Sequence, residues 1–368
     1  MPRRSTASRA VPAAADAAHP GRRGREEIAM TKELDRIARA MVAPGKGILA
    51  ADESHPTIAK RFASIGTENT EANRRAYREM LFTTAGAEAY ISGVILYDET
   101  LRQAGADGTP FVKTLTSRGI VPGIKVDAGA KELAGHRGEK ITEGLDGLRG
   151  RLAEYHKLGA RFTKWRAVIT IGDGLPSRAC LATNAHALAR YAALSQEAGL
   201  VPIVEPEVLM DGGHTLERCE AVTQDILVET FHQLALQGVR LEGMVLKPNM
   251  VVSGTTCTQQ ADVETVAEAT VRVLKRCVPG AVPGIAFLSG GQADELATAH
   301  LSAMNRRGPL PWELTFSYGR ALQAPALQAW GGKAAQVAAG QAAYLHRARM
   351  NSAARDGSYT DAMEAAAV

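Results

Sequence analysis

From Thr31 onward the chain repeats one local grammar. A short aliphatic or β-branched run ends in polar residues, and a longer segment of helical period follows. The runs are Gly47–Asp52, Gly93–Asp98, Pro122–Asp127, Arg161–Arg166, Val201–Glu207, Met244–Lys247, Gly284–Ser289 and Leu314–Arg320. These eight runs are separated by seven segments of about 25–45 residues, long enough for the crossover helices that parallel strands require. Helical period is clearest over Arg74–Leu81, Ala185–Ala198, Leu216–Leu236 and Thr265–Arg276. Eight βα units in one chain predict an α/β fold in which the strands close into a parallel (β/α)8 barrel, the TIM barrel, as a single domain.

The remaining features narrow the function. At 368 residues, 45% hydrophobic and 22% charged, the composition is that of an ordinary globular protein. No uninterrupted apolar stretch approaches about 18 residues, so no membrane span is predicted. The net charge of +4 is concentrated at the start, where residues 1–30 carry six arginines against three acids. The basic balance therefore marks a tail and not a nucleic-acid surface. That segment, 1–30, reads as a disordered basic extension, with an organelle transit peptide as the alternative; a barrel is expected over 31–345 and a flexible tail over 346–368. The four cysteines form no CxxC pair and the nine histidines no HxH or HxxxH pair, so no local metal site is predicted.

In such barrels the chemistry sits at the C-terminal ends of the strands. Here those ends carry Asp52, Lys125, Lys164, Arg166, Glu205, Glu207, Lys247, Ser289 and Arg320. Residues two apart share a strand face, which pairs Lys164 with Arg166, Glu205 with Glu207, and Ser289 with Phe287. Lys247 ends the apolar run Met244-Val245-Leu246. A strand-end lysine by itself is commonly a snorkelling side chain. Beside Lys164, Glu205 and Glu207 it reads instead as a nucleophilic amine, because burial and a neighbouring cation favour the neutral form that attacks carbonyls. An ordinary lysine is only about 0.1% neutral at pH 7.4, so the reading asks for about 3–4 kcal/mol against the ammonium. Glu205 and Glu207 then suit proton transfer, and Asp52 suits a base for a substrate hydroxyl.

Leu288-Ser289-Gly290-Gly291-Gln292 and Ser317-Tyr318-Gly319-Arg320 follow the seventh and eighth runs, where barrels of this type usually hold phosphate. Glycine lets backbone N–H groups approach an anion, and arginine grips it with paired donors. Lys60-Arg61 and Arg74-Arg75 lie after the first run. A second phosphate on the substrate would give Arg61 a role alongside Ser54, Thr57 and Lys125. Gly45-Lys46-Gly47 lacks the remaining residues of a P-loop.

Several stretches together resemble the class I fructose-bisphosphate aldolases: Gly45 to Ser54, Ile65 to Thr70, Val201 to Glu207, Leu246 to Met250, Phe287 to Gln292, and Leu314 to Leu322. The resemblance covers roughly Thr31 to Tyr359. It implies a metal-independent barrel enzyme, homotetrameric and cytoplasmic, without a cofactor. Such an enzyme cleaves fructose 1,6-bisphosphate to dihydroxyacetone phosphate and glyceraldehyde 3-phosphate. Carried over by position, the resemblance makes Lys247 the Schiff-base lysine and Glu205 the main proton acceptor, with Asp52, Lys164 and Glu207 in support. It puts Arg61, Ser289, Gly290, Gly291, Ser317, Gly319 and Arg320 on the sugar phosphate, with Lys125, Arg75 and Arg166 as further substrate contacts. Two departures stand out. His55-Pro56-Thr57 replaces the family's usual Thr-Gly-Ser, and the chain does not end in tyrosine, Tyr359 matching an earlier tail position.

Overall fold

A computed structural model describes residues 20–365, so the expectations for residues 1–19 and 366–368 lie outside the described residues. The strands are β1 (Gly47–Ala51), β2 (Ile91–Leu96), β3 (Val121–Lys125), β4 (Ala130–Glu132), β5 (Lys140–Thr142), β6 (Phe162–Ile169), β7 (Val201–Val208), β8 (Val245–Leu246), β9 (Gly284–Phe287) and β10 (Glu313–Tyr318). All but β4 and β5 close into one parallel barrel in the order β1-β10-β9-β8-β7-β6-β3-β2. Each of the eight runs read from the sequence contributes a barrel strand. The antiparallel hairpin β4–β5 is an addition that the sequence reading did not anticipate.

Period-two alternation sorts the strand residues into two apolar layers. Ile48, Ala50, Ile95, Phe162, Val201, Ile203, Val245 and Ala286 fill the barrel interior. Their neighbours Leu49, Ala51, Trp165, Ala167, Val204, Leu246 and Ile285 face the helices. Extending the inward series by two residues reaches Asp52 from Ala50, Lys164 from Phe162, Glu205 from Ile203 and Lys247 from Val245. The same alternation that packs the core therefore delivers ionisable groups to the mouth. Ser289 departs from its expected pairing. Phe287 belongs to the outer layer, whereas Ser289 lines the mouth. β9 ends at Phe287, and the left-handed glycines Gly290 and Gly291 (φ 62° and 111°) turn the chain, so alternation no longer governs it.

The bottom of the barrel is closed by the helix Pro20–Met41, whose Leu34, Ile37, Ala38 and Met41 enter the inner core. Their spacing of three and four residues makes one apolar stripe. This helix starts ahead of the expected boundary at residue 30. The expected tail boundary at 346 likewise falls inside a helix, Val337–Arg355. Arg347 there is 2% exposed, and Arg355 donates to the carbonyls of Val42, Ala43 and Leu314 at 2.6, 3.1 and 2.9 Å. Those bonds fix the segment on the closed end of the barrel.

Phe162 has room in the interior because β3 beside it and β2, one strand further on, carry glycine. A Cβ at Gly123 would lie 2.2 Å from the Phe162 ring, and one at Gly93 3.2 Å from it. Gly123→Ala is expected to lower stability by about 1–3 kcal/mol through overpacking, read as a lower urea midpoint. Adding Phe162→Leu should recover part of the loss; an unchanged midpoint in the single variant would contradict this account.

Candidate active site

The mouth of the barrel is a cavity of about 480 Å³. Asp52, Lys125, Lys164, Arg166, Glu205, Glu207 and Lys247 line it, together with Arg61, Ser289, Gly290, Gly291, Ser317, Gly319 and Arg320. Among the site residues read from the sequence, Arg75 alone is not part of this lining. The reason is its helix, Glu71–Phe82, which packs outside the barrel. The arginine of that helix that reaches inward is Arg78, on the buried side with Tyr77 and Met80.

At the centre Glu205 joins two lysines. Lys247 Nζ lies 3.0 Å from Glu205 Oε1, and Lys164 Nζ lies 3.5 Å from Glu205 Oε2. Lys164 Nζ also sits 2.6 Å from Asp52 Oδ2. Lys164, Lys247 and Glu205 are each nearly excluded from solvent. Two ammonium and two carboxylate groups balance in charge, which is what permits such burial. Burial opposes the charge on Asp52, yet Lys164 and Lys247 outweigh it and hold its carboxyl well below the usual carboxylate range. Burial also works against Lys164, and Asp52 and Glu205 overcome it, so its ammonium holds its proton more tightly than an ordinary lysine. Lys164 is thus the permanent cation expected beside Lys247. It is neutralised by two acids instead of standing as a bare charge. Glu205 Oε2 is buried and has no hydrogen-bond partner among the described residues. Asp52, held ionised by Lys164 and Lys247, is a weak base.

The rim adds cations held by acids. Arg166 is bonded to Glu207, and register sets Arg166 of β6 opposite Glu205 of β7. Lys125 stands opposite Lys164 in the β3–β6 pairing, and its Nζ donates to Asp127, to the backbone carbonyl at 2.8 Å. Asp127 also accepts from the Gly129 N–H at 3.1 Å and the Arg166 N–H at 3.3 Å.

The loops after β9 and β10 form an anion-shaped corner. The helix Arg320–Trp330 begins there, so its N-terminal N–H groups and dipole face the mouth. A Cβ at Gly291 would meet Arg320 Nη2 at 2.7 Å, so glycine is required for the guanidinium to lie across the loop. Ser317 Oγ is buried with no hydrogen-bond partner among the described residues. Below the loop, Gln292 Nε2 donates to the Ser289 carbonyl at 3.0 Å, and the Gln292 side-chain oxygen contacts His300 Nδ1 at 2.6 Å. Burial pushes His300 down to about 4, so it is neutral near pH 7. Its hydrogen faces Gln292 when the Gln292 oxygen accepts.

Sequence reasoning missed Asp127, His300 and Glu53. Glu53 binds both Arg61 and Arg78. Its only signal was adjacency to Asp52. Arg61, grouped by sequence with Ser54, Thr57 and Lys125, stands with Nη2 3.6 Å from where a Cβ on Gly319 would be. Pro56 sits in the first turn of the helix His55–Ala63, a position that needs no backbone N–H. Ser54 and Thr57 remain at the mouth, their hydroxyls 3.2 Å apart. Tyr359 is buried, and its hydroxyl donates to Glu364 at 3.0 Å.

A parallel barrel with paired lysines and acids at its mouth, next to glycine loops and an arginine at a helix N-terminus, has the make-up of a barrel enzyme suited to a phosphorylated carbonyl compound. The family model described as fructose-bisphosphate aldolase class-I matches residues 33–368. The "Probable fructose-bisphosphate aldolase class 1" of Xanthomonas axonopodis pv. citri (strain 306) is 61% identical over 299 residues, covering 81% of this chain and 90% of its own. "Fructose-bisphosphate aldolase 4, cytosolic" of Arabidopsis thaliana is 54% identical over 336 residues, covering 91% and 86%. The fructose-bisphosphate aldolase of Plasmodium falciparum, solved with TRAP and a small-molecule inhibitor, superposes with a TM-score of 0.89 at 50% identity, covering 90% of this chain and 96% of that one. The chain belongs to the class I fructose-bisphosphate aldolase family. It is a carbon–carbon lyase of glycolysis and gluconeogenesis, reversibly cleaving fructose 1,6-bisphosphate to dihydroxyacetone phosphate and glyceraldehyde 3-phosphate. No described helix is long and apolar enough to cross a membrane.

Asp52→Asn is expected to cost about 3 kcal/mol in urea unfolding at pH 7, because it strips a carboxylate from a buried lysine. A carboxyl held below its unfolded value contributes stability above that value and loses it as pH falls through the folded one. The difference between parent and variant should therefore hold from about pH 5 to 9 and shrink below about pH 4. A difference that vanished by pH 6 would contradict an ionised Asp52.

Proposed function

We propose that Lys247 is the Schiff-base nucleophile and that Glu205 is the proton carrier at the reacting carbons. The observation that carries this reading is the placement of Glu205, with one oxygen 3.0 Å from Lys247 Nζ and the other, 3.5 Å from Lys164 Nζ, making no hydrogen bond among the described residues. Proton transfer from Lys247 to Glu205 frees the amine within a cluster whose total charge does not change. The amine adds to the ketose carbonyl, and the protonated glutamate supplies the proton with which the carbinolamine hydroxyl leaves as water. The resulting iminium draws electrons from the adjacent carbon–carbon bond. A base then takes the proton of the neighbouring hydroxyl, the bond breaks, and an aldehyde leaves while an enamine stays on Lys247. Protonation of the enamine carbon and hydrolysis of the imine release the second product and restore the amine.

Lys164, kept cationic by Asp52, stabilises negative charge developing on the substrate oxygen. Glu207 holds Arg166 at the rim. Ser289, Gly290, Gly291, Ser317, Gly319 and Arg320 take one phosphate, supported by the helix N-terminus and the unpartnered Ser317 hydroxyl. Arg61, Lys125 and Arg166 complete the grip on a doubly phosphorylated sugar. A homotetramer in the cytoplasm is the setting we propose; the cytosolic names of the Arabidopsis thaliana relatives support the compartment, and sedimentation velocity would read the assembly.

Borohydride added with dihydroxyacetone phosphate should leave a reduced adduct on the peptide containing Lys247, and Lys247→Met should leave none. Turnover should survive EDTA. An adduct on Lys164, or loss of turnover with chelator, would overturn the assignment. Glu205→Gln is expected to lower kcat about 100- to 10,000-fold, while Asp52→Asn retains whatever imine formation does not need Lys164 held in place. A Glu205→Gln enzyme of parental kcat would remove Glu205 from the proton path.

A further inference from the structure

Glu53 sits one residue beyond the strand-end acid Asp52, and its side chain is 4% exposed. Three helices send it donors. Arg61 comes from His55–Ala63, Arg78 from Glu71–Phe82, and Gln323 from Arg320–Trp330, the last with Nε2 at 2.9 Å. The donors fall into two kinds. Arg78 and Gln323 are buried in the helix layer and are themselves tied down. Gln323 Nε2 also donates to the Ala50 carbonyl at 2.7 Å, and its side-chain oxygen accepts from Tyr77 OH at 3.0 Å. Arg61, by contrast, is 24% exposed and lines the mouth. Its Nη1 is committed to Glu53, while Nη2 stands 3.6 Å from the Cβ position of Gly319.

We infer that Glu53 is a positioning residue for phosphate recognition: fixed by Arg78 and Gln323, it holds one edge of the Arg61 guanidinium so that the other edge faces the anion corner beside Gly319. A free arginine on a helix end samples many rotamers, and ordering it on binding costs affinity. Anchoring one edge removes that cost and leaves donors on the other edge for phosphate oxygens. Burial opposes the charge on Glu53, but Arg61 and Arg78 outweigh it and keep the carboxyl below its usual range. The anchor is therefore charged throughout the neutral range. Lys60, next in the chain, also lines the mouth but has no such anchor among the described residues, and is expected to contribute less.

This inference rests on the reading of Arg61 as a phosphate ligand. The test measures kcat, KM for fructose 1,6-bisphosphate, competitive inhibition by inorganic phosphate, and melting temperature. The variants are Glu53→Gln, Arg61→Ala and the double variant. Glu53→Gln should raise both KM and the phosphate Ki about ten-fold, the scale of one charge-assisted bond, with kcat within about two-fold. In the double variant the two losses should not multiply, because both act through one guanidinium. Should Glu53→Gln fold poorly with Arg78 left unpaired, Glu53→Gln combined with Arg78→Met removes that buried charge and should show the same KM and Ki shifts. A lower melting temperature with parental KM and Ki, or fully multiplicative losses in the double variant, overturns the inference. If Arg61→Ala itself leaves Ki unchanged, the reading of Arg61 has failed and the inference falls with it; a weakened Arg61→Ala beside a silent Glu53→Gln sinks the inference alone.

Discussion

The site depends on one carboxylate shared between two lysines. Glu205 stands 3.0 Å from Lys247 and 3.5 Å from Lys164, and Asp52 closes the set from the far side of Lys164. Remove either acid and a buried ammonium loses compensation; remove either lysine and a buried carboxylate does. The cluster can exist inside a barrel mouth because its charges sum to zero. In the mechanism we propose, a proton moving within it changes no net charge. That separates the two lysines functionally. Lys164 is held in its charged form by two acids, while Lys247 faces the single carboxylate it shares with Lys164.

Barrel geometry supplies the convergence. Asp52, Lys164, Glu205 and Lys247 come from four strands spread over about two hundred residues of sequence. Each is the next inward position after an interior apolar residue. Closure of the sheet then brings the four strand ends together around one cavity. Phe162 and the plug helix fill the space below, which keeps water from reaching the cluster from underneath and leaves a single dry floor on which low-dielectric electrostatics act.

Around this centre a second tier of groups holds the mouth's side chains and loops in place. Asp127 fixes Lys125 and the backbone of Arg166, Glu207 fixes the Arg166 side chain, Glu53 fixes Arg61, and the His300–Gln292 pair supports the loop at Ser289. Every cation at the mouth except Lys60 and Arg320 has an acid beside it among the described residues. Arg320 stands exposed on a helix N-terminus against Gly291, where the proposed function places a phosphate. The arrangement orders long flexible side chains before substrate arrives, which is where binding energy is otherwise lost.

The sequence by itself determined the barrel and which ionisable residues stand at its mouth, because both follow from local periodicity. Alternation marks strands, their order along the chain with long crossovers marks a parallel ring, and polar residues at strand ends mark the mouth. It also picked out Gly290, Gly291 and Arg320, which line one mouth in the structure, since glycine at those places has a backbone reason. What it could not supply were relations across space. Arg75 and Arg78 lie one helical turn apart, and only packing decides which one reaches Glu53. The extent of the end helices was hidden because Leu34, Ile37 and Met41 gain their order from the barrel bottom, and Arg355 from carbonyls of Val42 and Leu314, far away in sequence. Ser289 escaped alternation because its strand stops at Phe287. Ion pairing was likewise decided only by the tertiary structure, since the charge state of a buried lysine depends on which carboxylates closure of the barrel sets within a few ångströms of it.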